Sequence, residues 1–154
     1  MKHDAALRTH LIALLDGGQA YETMATILKS IPHKDHHRVP KGAEHSAWQI
    51  LDHMVFTLND IIEFSDNADG KYREKSWPDD YWSEGKGDWD KSLRAYRRAR
   101  KRLDALILDS KRDLFKPFPW GDGQTLLREA LLAADHQSYH LGELVQLQRW
   151  LSKS

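Results

Sequence analysis

Apolar side chains recur every three or four residues along four long segments of the chain, which predicts four amphipathic helices. The predicted helices span approximately residues 4–31, 45–64, 89–108 and 125–151. Four such helices joined by long loops predict an all-α fold, a four-helix bundle.

Glycine, proline and capping residues mark the ends and one interruption of these helices. Gly17 and Gly18 lie inside the first predicted helix, where two glycines cost about 2 kcal/mol relative to alanine. They indicate a kink, a helix start just after them, or a close approach to another helix. Pro32 ends the first helix, and Ser46 and Asp88 are the predicted N-caps of the second and third helices.

The loop at 66–87 is long for a connection inside one compact domain, and such loops are usually functional or packed over something. Its aromatic residues Trp77, Tyr81 and Trp82 are first interpreted as rings that lie across the bundle. The alternative is that they form the wall of a pocket.

Length and charge limit the possible classes of protein. The 154 residues, 1–154, fit one domain with a single core. The 23 basic and 23 acidic side chains give zero formal charge, so no large net field attracts nucleic acid or anionic lipid. The basic segment 94–102 in the third helix is interpreted as a solvated helix face in preference to a phosphate-binding patch.

The chain contains no cysteine, which excludes disulfides, thiolate metal ligands and cysteine nucleophiles. No apolar stretch approaches the roughly 18 residues of a membrane span, and the N-terminal segment lacks the apolar run of a signal peptide. We therefore expect a cytoplasmic protein without a membrane or nucleic-acid partner.

Histidines form the most informative chemical pattern. His136 and His140 are four residues apart on the fourth predicted helix, so they project from neighbouring positions on one face. In a bundle, His53 of the second helix can face them, although a single histidine inside a helix is more often structural. Three neutral imidazoles and water suit Zn²⁺, Ni²⁺ or Fe²⁺. The histidines of the loop 33–37 are interpreted as solvated.

Four segments, taken in order, resemble the DinB-like (YfiT-type) superfamily of metalloproteins. They are HSAWQILDHM, WPDDYW, GDGQTLLREALLAADH and YHLGELVQLQRWL. The resemblance implies a four-helix bundle, commonly dimeric, that binds a divalent metal through one histidine of the second helix and an HxxxH pair of the fourth. In this chain those positions are His53, His136 and His140.

The resemblance leaves two functions open. Some members are similar to transferases that use a low-molecular-weight thiol cofactor, which implies a metal-dependent transferase or hydrolase acting on a small-molecule substrate. The alternative is a non-catalytic, stress-associated homodimer whose metal is structural. Six Trp and five Tyr also favour a homodimer, because such residues are enriched at interfaces.

Carboxylates near the three histidines are candidate partners of the imidazole rings. Glu129, Glu143 and Asp135 are candidate acceptors of imidazole N–H groups, with solvent exposure as the alternative for each. This chain departs from the resemblance at Trp120, where relatives often carry a histidine, so no auxiliary role is carried over to that position. Catalytic residues and thiol-binding residues are not predicted.

Overall fold

The computed structural model describes residues 2–153, which form an all-α fold as predicted. Within that range the chain contains isolated β-bridges but no β-strand. Its elements are α1 (Lys2–Asp16), α2 (Met24–Ser30), a 3₁₀ helix (His33–Asp35), α3 (Ala47–Ser65), α4 (Trp89–Leu108) and α5 (Leu126–Leu151).

Helix α5 packs against the four other α-helices, while α3 and α1 each pack against both α4 and α5. The core is made of aliphatic side chains at helical spacing, and burying them stabilises the fold by about 25 cal/mol per Å² of apolar surface. The side chains with almost no exposure include Leu51, Ile62, Leu103, Ile107, Leu144 and Leu147.

The prediction of one helix over 4–31 is wrong, because the chain turns between α1 and α2. Gly17 and Gly18 have φ values of 69° and 79°, in the left-handed region that side chains other than glycine rarely adopt. Gly17 and Thr23 form an isolated antiparallel β-bridge. Thr23 is also the N-cap of α2, because its side chain accepts a hydrogen bond from the backbone N–H of Thr26. The glycine pair is therefore a helix break and not a kink.

The helices that carry the candidate site have well-defined first turns. Ser46 accepts a hydrogen bond from the backbone N–H of Gln49, whose side chain accepts one from Ser46 N–H, so α3 begins with a capping box. Asp88 caps α4 as predicted, and Thr125 caps α5. These caps fix the starting points of α3 and α5, and therefore the faces on which their histidines lie.

Two arginines join α1 to α4 by binding backbone carbonyls at the ends of the opposite helix. Arg8 of α1 is 5% exposed and donates to the carbonyl oxygens of Ile107, Asp109 and Arg112. Arg100 of α4 donates to the carbonyl of Leu15 near the end of α1. Each guanidinium satisfies acceptors that a helix C-terminus leaves without an intrahelical partner.

No helix within residues 2–153 has the length and apolar character needed to cross a membrane.

We expect Arg8→Met to lower the free energy of unfolding by about 2–3 kcal/mol, because it removes the guanidinium donor from the buried carbonyl of Ile107 at the end of α4. Urea unfolding measures the change. Arg94→Met is the matched control, because Arg94 is exposed on α4 and forms no ion pair among residues 2–153; we expect a change within about 0.5 kcal/mol. Equal losses in the two variants would contradict a structural role for Arg8.

Candidate metal centre

Three histidines from two neighbouring helices meet inside the bundle. His53 lies in the middle of α3, and His136 and His140 lie one turn apart on α5. His53 and His140 are 2% and 3% exposed, whereas His136 is partly exposed. The packing of α3 against α5 therefore brings the three predicted ligands together at one point, with access to solvent beside His136.

The Nε2 atoms of the three rings converge. His136 Nε2 lies 3.0 Å from His53 Nε2 and 3.1 Å from His140 Nε2. With one ring nitrogen taken from each histidine, the three atoms lie within 4.8 Å of one another. Among residues 2–153, no other three His, Asp or Glu side chains bring ligand atoms this close together. Nitrogens bound to one ion at about 2.0–2.1 Å must lie at such separations.

Hydrogen bonds donated by Nδ1 orient two of the rings. His53 Nδ1 lies 2.9 Å from the carbonyl oxygen of Tyr81, and because a carbonyl can only accept, Nδ1 carries the proton. His140 Nδ1 lies 2.6 Å from a carboxylate oxygen of Glu143, to which it donates. In both neutral rings the Nε2 lone pair therefore points toward the other histidines.

This arrangement leaves more acceptors than donors at the centre. With lone pairs on Nε2 of His53 and His140, only His136 can supply a proton between the rings, and it cannot form a full hydrogen bond to both. A cation at the meeting point interacts favourably with all three lone pairs. The donor set therefore fits a divalent metal ion.

The surroundings keep the imidazoles neutral. Burial, and then the neighbouring rings of His140 and His53, lower the pKa of His136 to about 3. Burial, and then His53 and His45, lower the pKa of His140 to about 3, and burial also lowers the pKa of His53. Neutral imidazole is the form that binds metal, so at neutral pH the rings need not lose a proton first.

Aromatic rings of the loop between α3 and α4 cover His53. Trp82 stacks on His53 with ring centres 4.0 Å apart and on His45 with centres 3.7 Å apart, so its indole lies between two imidazoles. Tyr81 packs edge-on against Phe56 of α3. Trp77 meets His53 at its edge but is 67% exposed. The interpretation that the loop rings lie across the bundle is confirmed for Tyr81 and Trp82.

Polar contacts fix this loop to α3. The Tyr81 hydroxyl donates to Asp60 at 2.8 Å, and the Ser83 hydroxyl donates to Asp52 at 2.6 Å. These contacts lie on either side of His53 and hold the Tyr81 carbonyl against its Nδ1. The loop thereby supplies a backbone carbonyl that accepts the ring N–H of His53.

Of the three predicted carboxylate acceptors, only Glu143 contacts a histidine ring. The carboxylate of Glu129 is paired with Arg128 at 2.7 Å, two turns before His136. Asp135 is exposed and forms no hydrogen bond to the rings in the described structure. The solvent-exposed alternative therefore holds for Asp135 but not for Glu129, which is 2% exposed.

The other candidate positions lie away from the centre. Trp120 donates its indole N–H to the Phe64 carbonyl and stacks on Phe118. His36 is buried and stacks on Trp89 with ring centres 3.9 Å apart, so the interpretation of the whole 33–37 segment as solvated is wrong. His36 packs against the N-terminal end of α4, where its ring is part of the core.

The comparison with known proteins agrees with this architecture. A family model described as the DinB superfamily matches residues 18–144, a range that includes all three histidines. No curated protein and no solved structure matches the chain significantly. The matched range covers most of the chain and ends within α5, beyond His140. On this match and its all-α fold, the chain belongs to the DinB superfamily.

Proposed function

We propose that the protein binds one divalent metal ion, Zn²⁺, Ni²⁺ or Fe²⁺, through His53, His136 and His140. We further propose that it is a metal-dependent enzyme, a thiol-dependent transferase or a hydrolase, that acts on a small molecule. The observation that carries the proposal is the convergence of three Nε2 atoms, two of them oriented by hydrogen bonds at Nδ1.

Three protein ligands are typical of catalytic sites, whereas structural zinc sites usually have four. A divalent ion with an open position acts as a Lewis acid and lowers the pKa of bound water or thiol toward neutrality. The hydrogen bond from His140 to Glu143 makes that imidazole a stronger electron-pair donor to a metal ion, because negative charge builds up on Nε2, the ring nitrogen that faces the centre.

The protein also limits how a small molecule approaches the histidines. Trp82 closes the His53 side by stacking, and the cavity beside His136, whose lining includes Leu58, Tyr96 and Gln137, measures only about 10 Å³. Approach is therefore from the partly exposed side of His136. A larger cavity of about 330 Å³, lined by residues that include His45, Tyr139 and Glu143, adjoins the outer side of His140.

The bundle has a core that does not depend on the histidines, which favours a catalytic ion over a structural one. Leu51, Leu103 and Leu144 are fully buried and come from three different helices. Burying such residues supplies most of the stability, so loss of a metal need not unfold the chain. A non-catalytic homodimer with a structural metal is the alternative that the following measurement tests.

We expect His53→Ala, His136→Ala and His140→Ala each to weaken metal binding by about a hundredfold or more, since loss of a supporting group alone costs about tenfold to a hundredfold. We also expect all three variants to keep their helices and to melt close to the metal-free wild type. The measurements are metal content of protein purified without a nickel column, and circular dichroism. His10→Ala, an exposed histidine of α1, is the matched control and should keep its metal.

Two results would contradict this account in different ways. If the three variants keep full metal content, the ligand assignment is wrong. If they lose metal and also lose their helices, the metal is structural, because structural zinc often supplies the folding free energy of a small domain.

A Co²⁺-loaded protein tests whether a coordination position is open. We expect its visible absorption spectrum to change when cysteine or 2-mercaptoethanol is added, because a thiolate can occupy a vacant position beside three imidazoles. Serine and ethanol at the same concentrations serve as controls and should leave the spectrum almost unchanged. A spectrum that does not respond to any thiol would argue for a closed site and against a thiol-dependent enzyme.

We also propose that the protein is a homodimer. Helix α5 carries the exposed large side chains Leu131, Leu132 and Tyr139, a surface of the kind that protein interfaces cover. Sedimentation at micromolar concentration should give a species of about 36 kDa, twice the 17.9 kDa of one chain. A single species near 17.9 kDa would contradict the dimer.

A further inference from the structure

Another pocket lies two helical turns from the three histidines, between α3, α5, the loop at 66–87 and the loop that follows α4. It encloses about 420 Å³. Asp60 comes seven residues after His53, and Glu129 seven residues before His136, so both carboxylates lie on the helix faces that carry the histidines. At a rise of 1.5 Å per residue, the pocket is about 10 Å along the helices from the candidate metal centre.

Three aromatic rings contribute to the walls of this pocket, whose other lining residues are mostly polar. Phe64, Tyr72 and Trp120 line it, and the rings of Phe64 and Tyr72 meet edge to face with centres 5.3 Å apart. The indole N–H of Trp120 is already donated to the Phe64 carbonyl at 2.8 Å. The walls therefore offer ring surface to an apolar group.

The charge of the pocket lining is strongly acidic. Its lining contains four carboxylates but only one cation, Arg128, whose guanidinium is paired with Glu129. The other three carboxylates, Asp60, Glu74 and Asp122, form no ion pair among residues 2–153. Nearby Lys75 lies 5.6 Å from the centre of the Tyr72 ring and is paired with Glu63.

The floor of the pocket also has more hydrogen-bond acceptors than donors. Asp60 accepts from the Tyr81 hydroxyl through Oδ2, while its buried Oδ1 has no partner in the described structure. Glu129 is 2% exposed, and the hydrogen bond from Arg128 engages its Oε1. A buried carboxylate is costly unless its oxygens are matched by donors or positive charge.

We infer that this pocket binds an organic primary ammonium ion, an amine carried on an aromatic or other apolar body. The ammonium group supplies both the positive charge and the N–H donors that the floor lacks, and the body packs against the three aromatic rings. A bare metal ion is a poorer fit, because no three carboxylates or histidines of this pocket lie close enough together to bind one.

The pocket is joined to the candidate metal centre through Tyr81. The hydroxyl of this residue binds Asp60, and its backbone carbonyl binds His53. The ammonium site nevertheless does not depend on the proposed metal chemistry, since its charges and walls are present without the histidines. It can therefore be tested in protein that has lost the metal ligands.

The test uses phenethylamine as the probe and the indole N–H signals of the six tryptophans in a ¹H–¹⁵N NMR spectrum as the readout. Trp120→Phe identifies the Trp120 signal. We expect phenethylamine to shift that signal in a saturable manner at pH 7, both in the metal-loaded wild type and in His136→Ala. Phenethyl alcohol, which has the same body without the charge, should bind at least about tenfold more weakly.

Charge-removing variants locate the binding groups. Glu129→Gln and Asp60→Asn should each weaken phenethylamine binding by about tenfold or more, because each removes a charged acceptor from the floor. Glu84→Gln removes the same charge from an exposed position outside the pocket and should bind like the wild type. Tyr81→Phe leaves both carboxylates in place and should retain binding.

The inference is overturned if phenethyl alcohol binds as tightly as phenethylamine, if Glu129→Gln with wild-type helicity binds like the wild type, or if the Trp120 signal does not respond. Loss of metal in His136→Ala without loss of amine binding would separate this site from the proposed function.

Discussion

The candidate metal centre depends on the hydrogen bond between His53 Nδ1 and the Tyr81 carbonyl. A carbonyl can only accept, so this contact places the ring proton on Nδ1 and leaves the Nε2 lone pair facing His136. Glu143 has the same effect on His140. Because both rings present acceptors to one point, the centre is short of positive charge unless a cation is bound.

The packing of the loop at 66–87 makes that hydrogen bond possible. Asp60 and Asp52 hold the side chains of Tyr81 and Ser83, and Trp82 stacks between His45 and His53. These contacts order a segment whose backbone would otherwise favour many conformations, which has an entropic cost. The same residues hold the histidine in place and close one side of the site, so the packing of the loop and the geometry of the centre depend on the same contacts.

Much of the fold and the pair His136 and His140 were predictable from sequence because each has a local signal, whereas His53 was assigned through the resemblance to the DinB-like superfamily. Helical periodicity located α3, α4 and α5, and the spacing of His136 and His140 placed both on one face. The Tyr81 carbonyl had no such signal, since every residue has one. The prediction that Glu129 accepts an imidazole N–H was wrong. Glu129 lies seven residues before His136, which places both on nearly the same face of α5 but about 10 Å apart along the helix, too far for a hydrogen bond. The glycine pair became a helix break because both residues adopt positive φ.

X-ray absorption spectroscopy of the protein loaded with one equivalent of Zn²⁺ tests the central claim most directly. Three imidazoles that share one ion predict a first shell dominated by nitrogen at about 2.0–2.1 Å, with the scattering pattern of three imidazole rings and one further light ligand. His136→Ala should reduce that pattern to two rings or abolish metal binding. A first shell without imidazole scattering, or one that His136→Ala leaves unchanged, would contradict the assignment of His53, His136 and His140 as the ligands.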